Sequence, residues 1–455
     1  MTVSLPGIPT SVQNLIQQDV LERMFHDSLF PAQLFRAVAQ PELWEANLGE
    51  SMLFTRPGLI PVSTKPLVQS SDPTPASYAF EQWRAEAAQY GTPLDTHMPT
   101  SSVSLQSLFM RNTQQLGLNA GQTLNRIVRD KLFRAYLGGN TNLAVAALAA
   151  ATQVEVASLN GFTEIVANAR PVDVSAGNPL AVTIDGVANT VIGTIPINAA
   201  DPLGRGLLLL GTPLAAPAAL RAVVLAGSRS RITRVGGGTS VDAITSGNIL
   251  ALQDIINATA RLRRANVPTM PDGYYHVHLG PEAEAQIFQD PQFQRLYDGV
   301  PEGAAYKELA IAQLVGCRFY RNNEVPSDDN SGTLVATGSS AQGASDIGGD
   351  VVNAAGRAIR RTIVIGGASV YEKYLDESRY ITEAGVTGKI GSFSVTNGGV
   401  QVMTDRIRYI IRAPLDRAQQ VVGQMWSWSG DFAIPTDLLT GDSARFKRAV
   451  VIEHA

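Results

Sequence analysis

At 455 residues the chain is too long for one ordinary hydrophobic core, so two or three lobes are expected. Charged residues make up only 17%, against roughly 25% in typical soluble domains, while apolar content is 45%, so a surface short of charge and covered by partners is expected. A net charge of −4 excludes a global basic field, leaving only local, weak contact with nucleic acid, and the single cysteine, Cys317, excludes a disulfide framework or a multi-cysteine zinc site.

No uninterrupted apolar run reaches the ~18 residues a membrane helix needs. The stretch 142–159 comes closest, but it is Ala-rich and broken by Gln153 and Glu155. The opening residues lack the charged and apolar parts of a secretory signal, so a soluble product of a cytoplasm with no membrane partner is expected. Along the chain, Val12, Leu15, Ile16, Val20 and Met24 fall at helical spacing and suit an arm lying on another surface. From Met52 to Thr100 recurrent prolines forbid long helices and favour a hairpin. Within that stretch Phe54, Leu59, Ile60, Val62, Tyr78, Phe80 and Trp83 are too apolar for a freely solvated loop.

From Leu116 to Tyr136 the pattern is an amphipathic helix. Leu124, Ile127, Val128, Leu132 and Ala135 share one face, Arg126, Arg129, Asp130 and Arg134 lie largely opposite, and Gly138-Gly139 is the stop. Between Ala150 and Val241 short apolar segments alternate with turn residues. Strands are predicted over Leu180–Ile184, Thr190–Ile197, Leu207–Leu210 and Ala222–Ala226. A second amphipathic helix carries Ile249, Leu252, Ile255, Ile256, Thr259 and Leu262. Arg261, Arg263 and Arg264 load its last turn, where cations suit the helix dipole. Pro271-Asp272-Gly273 then marks a turn into a strand from Tyr274 to Leu279.

Further on, Ala304–Leu314 reads as a helix, Cys317–Tyr320 as a strand, Ser327–Gly356 as a surface loop and Thr362–Gly366 as a buried strand. Val400, Val402, Ile407, Tyr409 and Ile411 also fit strands. No internal repeat of 20 to 50 residues argues for a solenoid.

The order helix, turn, strand from Asn248 to Pro281, closing in YYHVHLGPEAEAQIFQDPQFQRLYDG, resembles the axial domain of tailed-phage major capsid proteins of the Hong Kong 97-type fold. The resemblance implies an α+β chain with an N-terminal arm (1–47), an extended loop (48–105), a peripheral domain with a long spine helix (106–148), an inserted β-rich domain (149–240), an axial domain (241–395) and a return to the peripheral domain (396–455). RTIVIGGASVYEKYLDE, from Arg361, resembles the late strand and following helix of the axial domain. The segments from Val422 and from Phe446 resemble terminal strands of the peripheral domain.

What the resemblance implies for function is a structural protein and not an enzyme. It implies a major capsid protein assembling through hexamers and pentamers into an icosahedral shell around double-stranded DNA, located in the virion capsid and assembled in the host cytoplasm. Implied partners are further copies of itself, a portal protein, a decoration protein and, because the chain opens on an arm-like helix, a separate scaffolding protein. No cofactor is expected. Loop contacts would fall on Phe54, Ile60, Lys65, Tyr78, Phe80 and Trp83, with Lys65 also where some relatives crosslink, and arm contacts on Leu15, Val20 and Met24. Arg111, Arg126, Lys131 and Arg134 would face DNA phosphates or pair with neighbouring subunits. An encapsulin-type nanocompartment shell is the alternative of the same fold.

Chemistry in the sequence weighs less. His276 and His278 share one side of a strand and would need a third ligand to make a metal-dependent hydrolase, the enzyme alternative, so strand packing is the expectation. RVGGGTS at 234–240 has no lysine, and VTGKIGS at 386–392 has Ile390 where a P-loop needs a hydroxyl residue, so both read as turns. No G-x-S-x-G elbow occurs. Cys317 is expected to be a small buried hydrophobe.

Overall fold

A computed structural model describes residues 10–29, 33–44, 49, 51–57, 60, 62–64, 66, 72, 75–78, 80–103, 108–167, 170–199, 201–227, 229–230, 232–298, 313–314, 316–326, 351–383, 385–396, 399–412, 420–435 and 447–455. The chain is α+β and forms two compact units, each assembled from segments distant in sequence. Lys65, residues 304–312 of the expected helix and 327–350 of the expected loop lie outside the described residues. The last two residues of that expected helix, Gln313–Leu314, form a short strand.

The first unit comprises Met1–Met52, Ala85–Val128 and Tyr371–Ala433. Its framework is an 8-stranded sheet in which Gln40–Trp44, Tyr371–Leu375, Val421–Ala433, Ile407–Arg412, Gly399–Thr404, Phe393–Thr396 and Gly388–Ile390 follow one another, with Ala88–His97 also paired to Val421–Ala433. Ile407–Arg412 shows why these residues make strands: Ile407, Tyr409 and Ile411 are buried, and the residues between them are less so. The turn before it holds Asp405 and Arg406 at φ 46° and 66°, the left-handed pair that a two-residue hairpin requires.

Helices Thr10–Gln17 and Val20–Leu29 pack within this unit. So do the first turns of the long helix Leu108–Leu137, which begins eight residues before the predicted start at Leu116. Its buried stripe runs Phe109, Thr113, Leu116, Ala120, Leu124, Val128, Leu132 and Tyr136, a ladder of three- and four-residue steps. Gly117 sits where Val20–Leu29 comes closest; a Cβ there would lie 2.6 Å from the Phe25 carbonyl oxygen.

The second unit comprises Leu53–Arg84, Arg129–Val370 and Ile434–Ala455. It contains a 6-stranded antiparallel sheet ordered Asn140–Asn142, Val223–Ala226, Leu180–Ile184, Val187–Pro196, Gly206–Leu210, Gln153–Val156. These are the short strands predicted for the β-rich stretch, plus two the sequence analysis did not single out. One face buries Leu143, Val154, Val156, Val182, Val191, Leu208 and Val224 in a core of their own.

The same unit holds a 7-stranded sheet, with Tyr275–Leu279 parallel to Cys317–Arg321 and antiparallel to Ala358–Ile365, which pairs in turn with Ala449–His454. Helix Leu252–Arg264 lays Ile255, Ala258 and Leu262 against Val364, Val450 and Ile452. Asn266, at φ 54°, closes that helix, as its place before Val267-Pro268 suggests.

Four strands differ from the sequence reading. Tyr371–Leu375 is a strand rather than a helix, because it pairs in parallel with Gln40–Trp44 and antiparallel with Val421–Ala433. It belongs to the first unit, as do Gly388–Ile390 and Phe393–Thr396, which had been grouped with 241–395. Ala449–His454, grouped with the peripheral strands, instead sits beside Ala358–Ile365 with all six residues buried. A strand covered on both faces advertises burial but not its partner.

Candidate assembly surfaces

The two N-terminal helices dock on their own unit. Asp19, at φ 54°, breaks the helix between them, so the phase of the apolar stripe resets. Val12 and Ile16 are buried before the break and Leu21 and Phe25 after it, with Phe25 stacked on Tyr409 at 4.8 Å between centroids. Asp19 Oδ1 accepts from the Ser392 backbone N–H at 2.9 Å, and Ser392 Oγ also bonds Glu22. Leu15, Val20 and Met24, the expected arm contacts, lie on the half-buried flank instead of the fully buried face.

Next comes a buried ion network. Arg36 gives Nε and Nη2 to Glu372 Oε1 at 3.1 and 2.7 Å and Nη1 to Asp405 Oδ2 at 2.9 Å; Arg406 reaches the other Glu372 oxygen at 2.9 Å. Asn125 Oδ1, from the long helix, accepts the Phe35 and Arg36 backbone N–H groups at 2.7 and 3.2 Å. No sequence motif signals this network, because its members are 336 and 369 residues apart.

The expected loop contains a two-stranded hairpin, Ser51–Pro57 with Phe80–Glu86, of which Leu53–Pro57 and Phe80–Arg84 fall in the second unit. Trp83 is only 7% exposed, stacked on Phe54 and covered by the Arg56 guanidinium 5.5 Å from its ring centre. Trp83, expected to anchor a neighbour, therefore packs within its own hairpin. Phe54 is half-buried. Ile60 and Tyr78 are 61% and 52% exposed, and Val62, between the strands, is 87% exposed. Phe80 opens the second strand.

On the long helix Arg111 is exposed and Arg126, Lys131 and Arg134 are half-buried. At 3.6 residues per turn these four spread over about 200° of circumference, so they do not make one basic stripe. Arg129, expected on the polar face, is buried and bonded to Asp130 Oδ1 at 2.8 Å and the Glu324 carbonyl at 3.3 Å.

His276 and His278 do share a side of their strand, both against the Tyr320 ring at 4.8 and 5.3 Å. His278 is fully buried, its Nδ1 3.1 Å from Asn322 Nδ2, and burial pulls its pKa down to about 3. His276 Nε2 lies 2.8 Å from Asp272 Oδ2, and burial lowers its pKa against the pull of that carboxylate. Cys317 Sγ lies 3.1 Å from Thr259 Oγ1, and burial raises its pKa, away from a reactive thiolate. These contacts account for the three residues as core and strand packing.

No protein-family model and no curated protein sequence matches the chain. Solved structures do. The capsid asymmetric unit of cyanophage Pam1 aligns over 94% of this chain and 92% of its own, at 10% identity and a TM-score of 0.49. The capsid of cyanophage P-SCSP1u aligns over 93% and 88%, at 11% identity and a TM-score of 0.45. The capsid of Ralstonia phage GP4 aligns over 92% and 87%, at 13% identity and a TM-score of 0.44. The structures this chain resembles are phage capsids. Among the described residues the elements run in the order two helices, a hairpin, one long helix, a six-stranded antiparallel sheet, then the 7-stranded sheet with its helices.

Proposed function

We propose that this chain is a major capsid protein, many copies of which build an icosahedral shell around double-stranded DNA. The hairpin carries the reading. Among the described residues Ser51–Pro57 pairs only with Phe80–Glu86, and a two-stranded ribbon is marginally stable by itself in water. Yet Ile60, Val62 and Tyr78 stand 61%, 87% and 52% exposed. Covering a fully exposed Val or Ile side chain contributes roughly 1.5–3 kcal/mol, so a neighbouring copy laid over this segment gains what the isolated chain forgoes. The contact is heterologous, one patch on a different patch, and repeated about an axis it closes rings. Hexamers and pentamers are the rings an icosahedral shell needs.

On this reading the work is done by buried area and geometry, not by a reactive group. Arg111 and the half-buried cations of the long helix supply non-specific contact with DNA or pairing between subunits. Portal, scaffolding and decoration proteins complete the assembly. Negative-stain electron microscopy of the expressed chain, alone and with the candidate scaffolding protein of the same genome, tests the proposal. Closed shells tens of nanometres across are expected; a persistent monomer or small oligomer in both preparations would sink it. Nuclease-protected double-stranded DNA in particles from infected cells, in place of protein cargo, separates a virion shell from a nanocompartment.

A further inference from the structure

The segment Arg234–Ser240 has no P-loop lysine, but the fold brings cationic groups to it from elsewhere. Gly236 and Gly237, at φ 84° and 79°, make a turn that only glycine adopts cheaply, closed by the Gly237 N–H on the Arg234 carbonyl at 3.0 Å. Beyond the turn, Gly238 and Thr239 line a cavity of about 440 Å³ whose walls also carry Arg229, Arg234, Arg261 and Ser230. Three arginines thus line one concavity, and no lining residue is a carboxylate.

One compensating carboxylate is shared. Glu453, fully buried, takes Arg234 Nε at 2.8 Å and Arg361 Nε at 3.2 Å, so one carboxylate is set against two arginines. The frame is also fixed before any ligand arrives. Arg234 Nη1 donates to the Thr239 carbonyl at 2.8 Å and Arg261 Nη1 to Thr233 Oγ1 at 3.1 Å. Ser230 is held by its N–H on the Gly138 carbonyl, its Oγ on the Ala135 carbonyl and Asn140 Nδ2 on its own carbonyl, all at 2.9–3.0 Å. A rigid frame lowers the ordering cost of binding, and clustered guanidinium groups match the tetrahedral oxygens of a phosphate better than a point charge would. The volume falls in the range of small-ligand pockets, far beyond what a carboxylate tip would fill.

We propose that this cavity binds a phosphate group, carried by free phosphate or a nucleotide or by the backbone of a nucleic-acid strand. The proposal is independent of the capsid reading. It is tested with the full-length chain, as wild type, Arg229→Gln and Arg261→Gln, titrated at fixed ionic strength with sodium phosphate, AMP and a short single-stranded oligonucleotide, following melting temperature and heat of binding. Arg234 is left intact because it holds Glu453. Phosphate or AMP is expected to raise the wild-type melting temperature, with affinity weakened about tenfold in each variant. An oligonucleotide response with the same arginine dependence places the source in nucleic acid; a response to phosphate and AMP alone places it in a free ligand. No response in wild type, an equal response in wild type and variants, or a response only to a glutamate-rich peptide included as a probe would overturn the proposal. Circular dichroism and ligand-free melting check the fold, and because Arg229 is exposed, Arg229→Gln alone decides should Arg261→Gln fail to fold.

Discussion

Arg36 and Glu372 are 3% and 1% exposed, so removing either side chain strands the other in a medium that solvates charge poorly. Arg36→Ala is expected to lower stability by about 3–5 kcal/mol, with much of the loss recovered when Glu372 is also replaced by Ala; urea unfolding of the two single variants and the double variant gives the coupling directly. His278 makes a different prediction. Its folded-state pKa is about 3 and that of His454 about 4, both held down by burial, against 6.5 when exposed. The unfolded chain therefore takes up protons that the folded chain refuses. Stability is complete above about pH 6.5 and falls as pH drops towards 4, by about 2 kcal/mol per histidine at pH 5. Urea midpoints at pH 7, 6 and 5 should fall accordingly, and His278→Gln should flatten that slope; an unchanged slope would mean that other groups set the acid limit.

Between elements, close approach matters more than side-chain identity. Gly117 meets the Val20–Leu29 helix so tightly that an added Cβ would fall 2.6 Å from a backbone oxygen that cannot rotate away. Gly117→Ala should loosen the arm helix at a cost of about 1–3 kcal/mol, although alanine favours the long helix locally; faster hydrogen exchange across Val20–Leu29 is the readout. Such contacts mark the limit of what the sequence discloses. Leu252–Arg264, Tyr275–Leu279 and the strands from Leu180 to Ala226 were legible because each carries its own period and its own turn residues. Local period also revealed a helix before Leu29, but not that Asp19 rotates the buried face from Leu15 and Met24 to Leu21 and Phe25. Arg129 read as a polar-face residue because its partner, the Glu324 carbonyl, is 195 residues away. Likewise the pairing of Gln40–Trp44 with Tyr371–Leu375 joins segments whose own patterns say nothing of each other. Arg234 and Arg261 each read as part of their own segment, and neither pattern brings them together with Arg229.

Within the whole chain, residues that support folding can be told apart from residues that have no use in a single copy. Trp83 and Phe54 stack on each other, so replacing either damages the hairpin itself, and a loss of assembly would say nothing about neighbours. Ile60 and Val62 differ, because at 61% and 87% exposure they bury little in the isolated chain. Ile60→Asp combined with Val62→Asp should leave the unfolding midpoint within about 0.5 kcal/mol of wild type, as surface substitutions do. The same pair should abolish closed shells, since two carboxylates would have to be desolvated at each of many equivalent contacts. Val187→Asp, at a 47% exposed position in the insertion, introduces a comparable charge away from the hairpin and serves as the control. Light scattering and size-exclusion chromatography of the three proteins distinguish the cases. Shells from wild type and Val187→Asp, with only soluble subunits from the hairpin pair, place the intersubunit contact on this segment; shells from all three would move it elsewhere on the molecule.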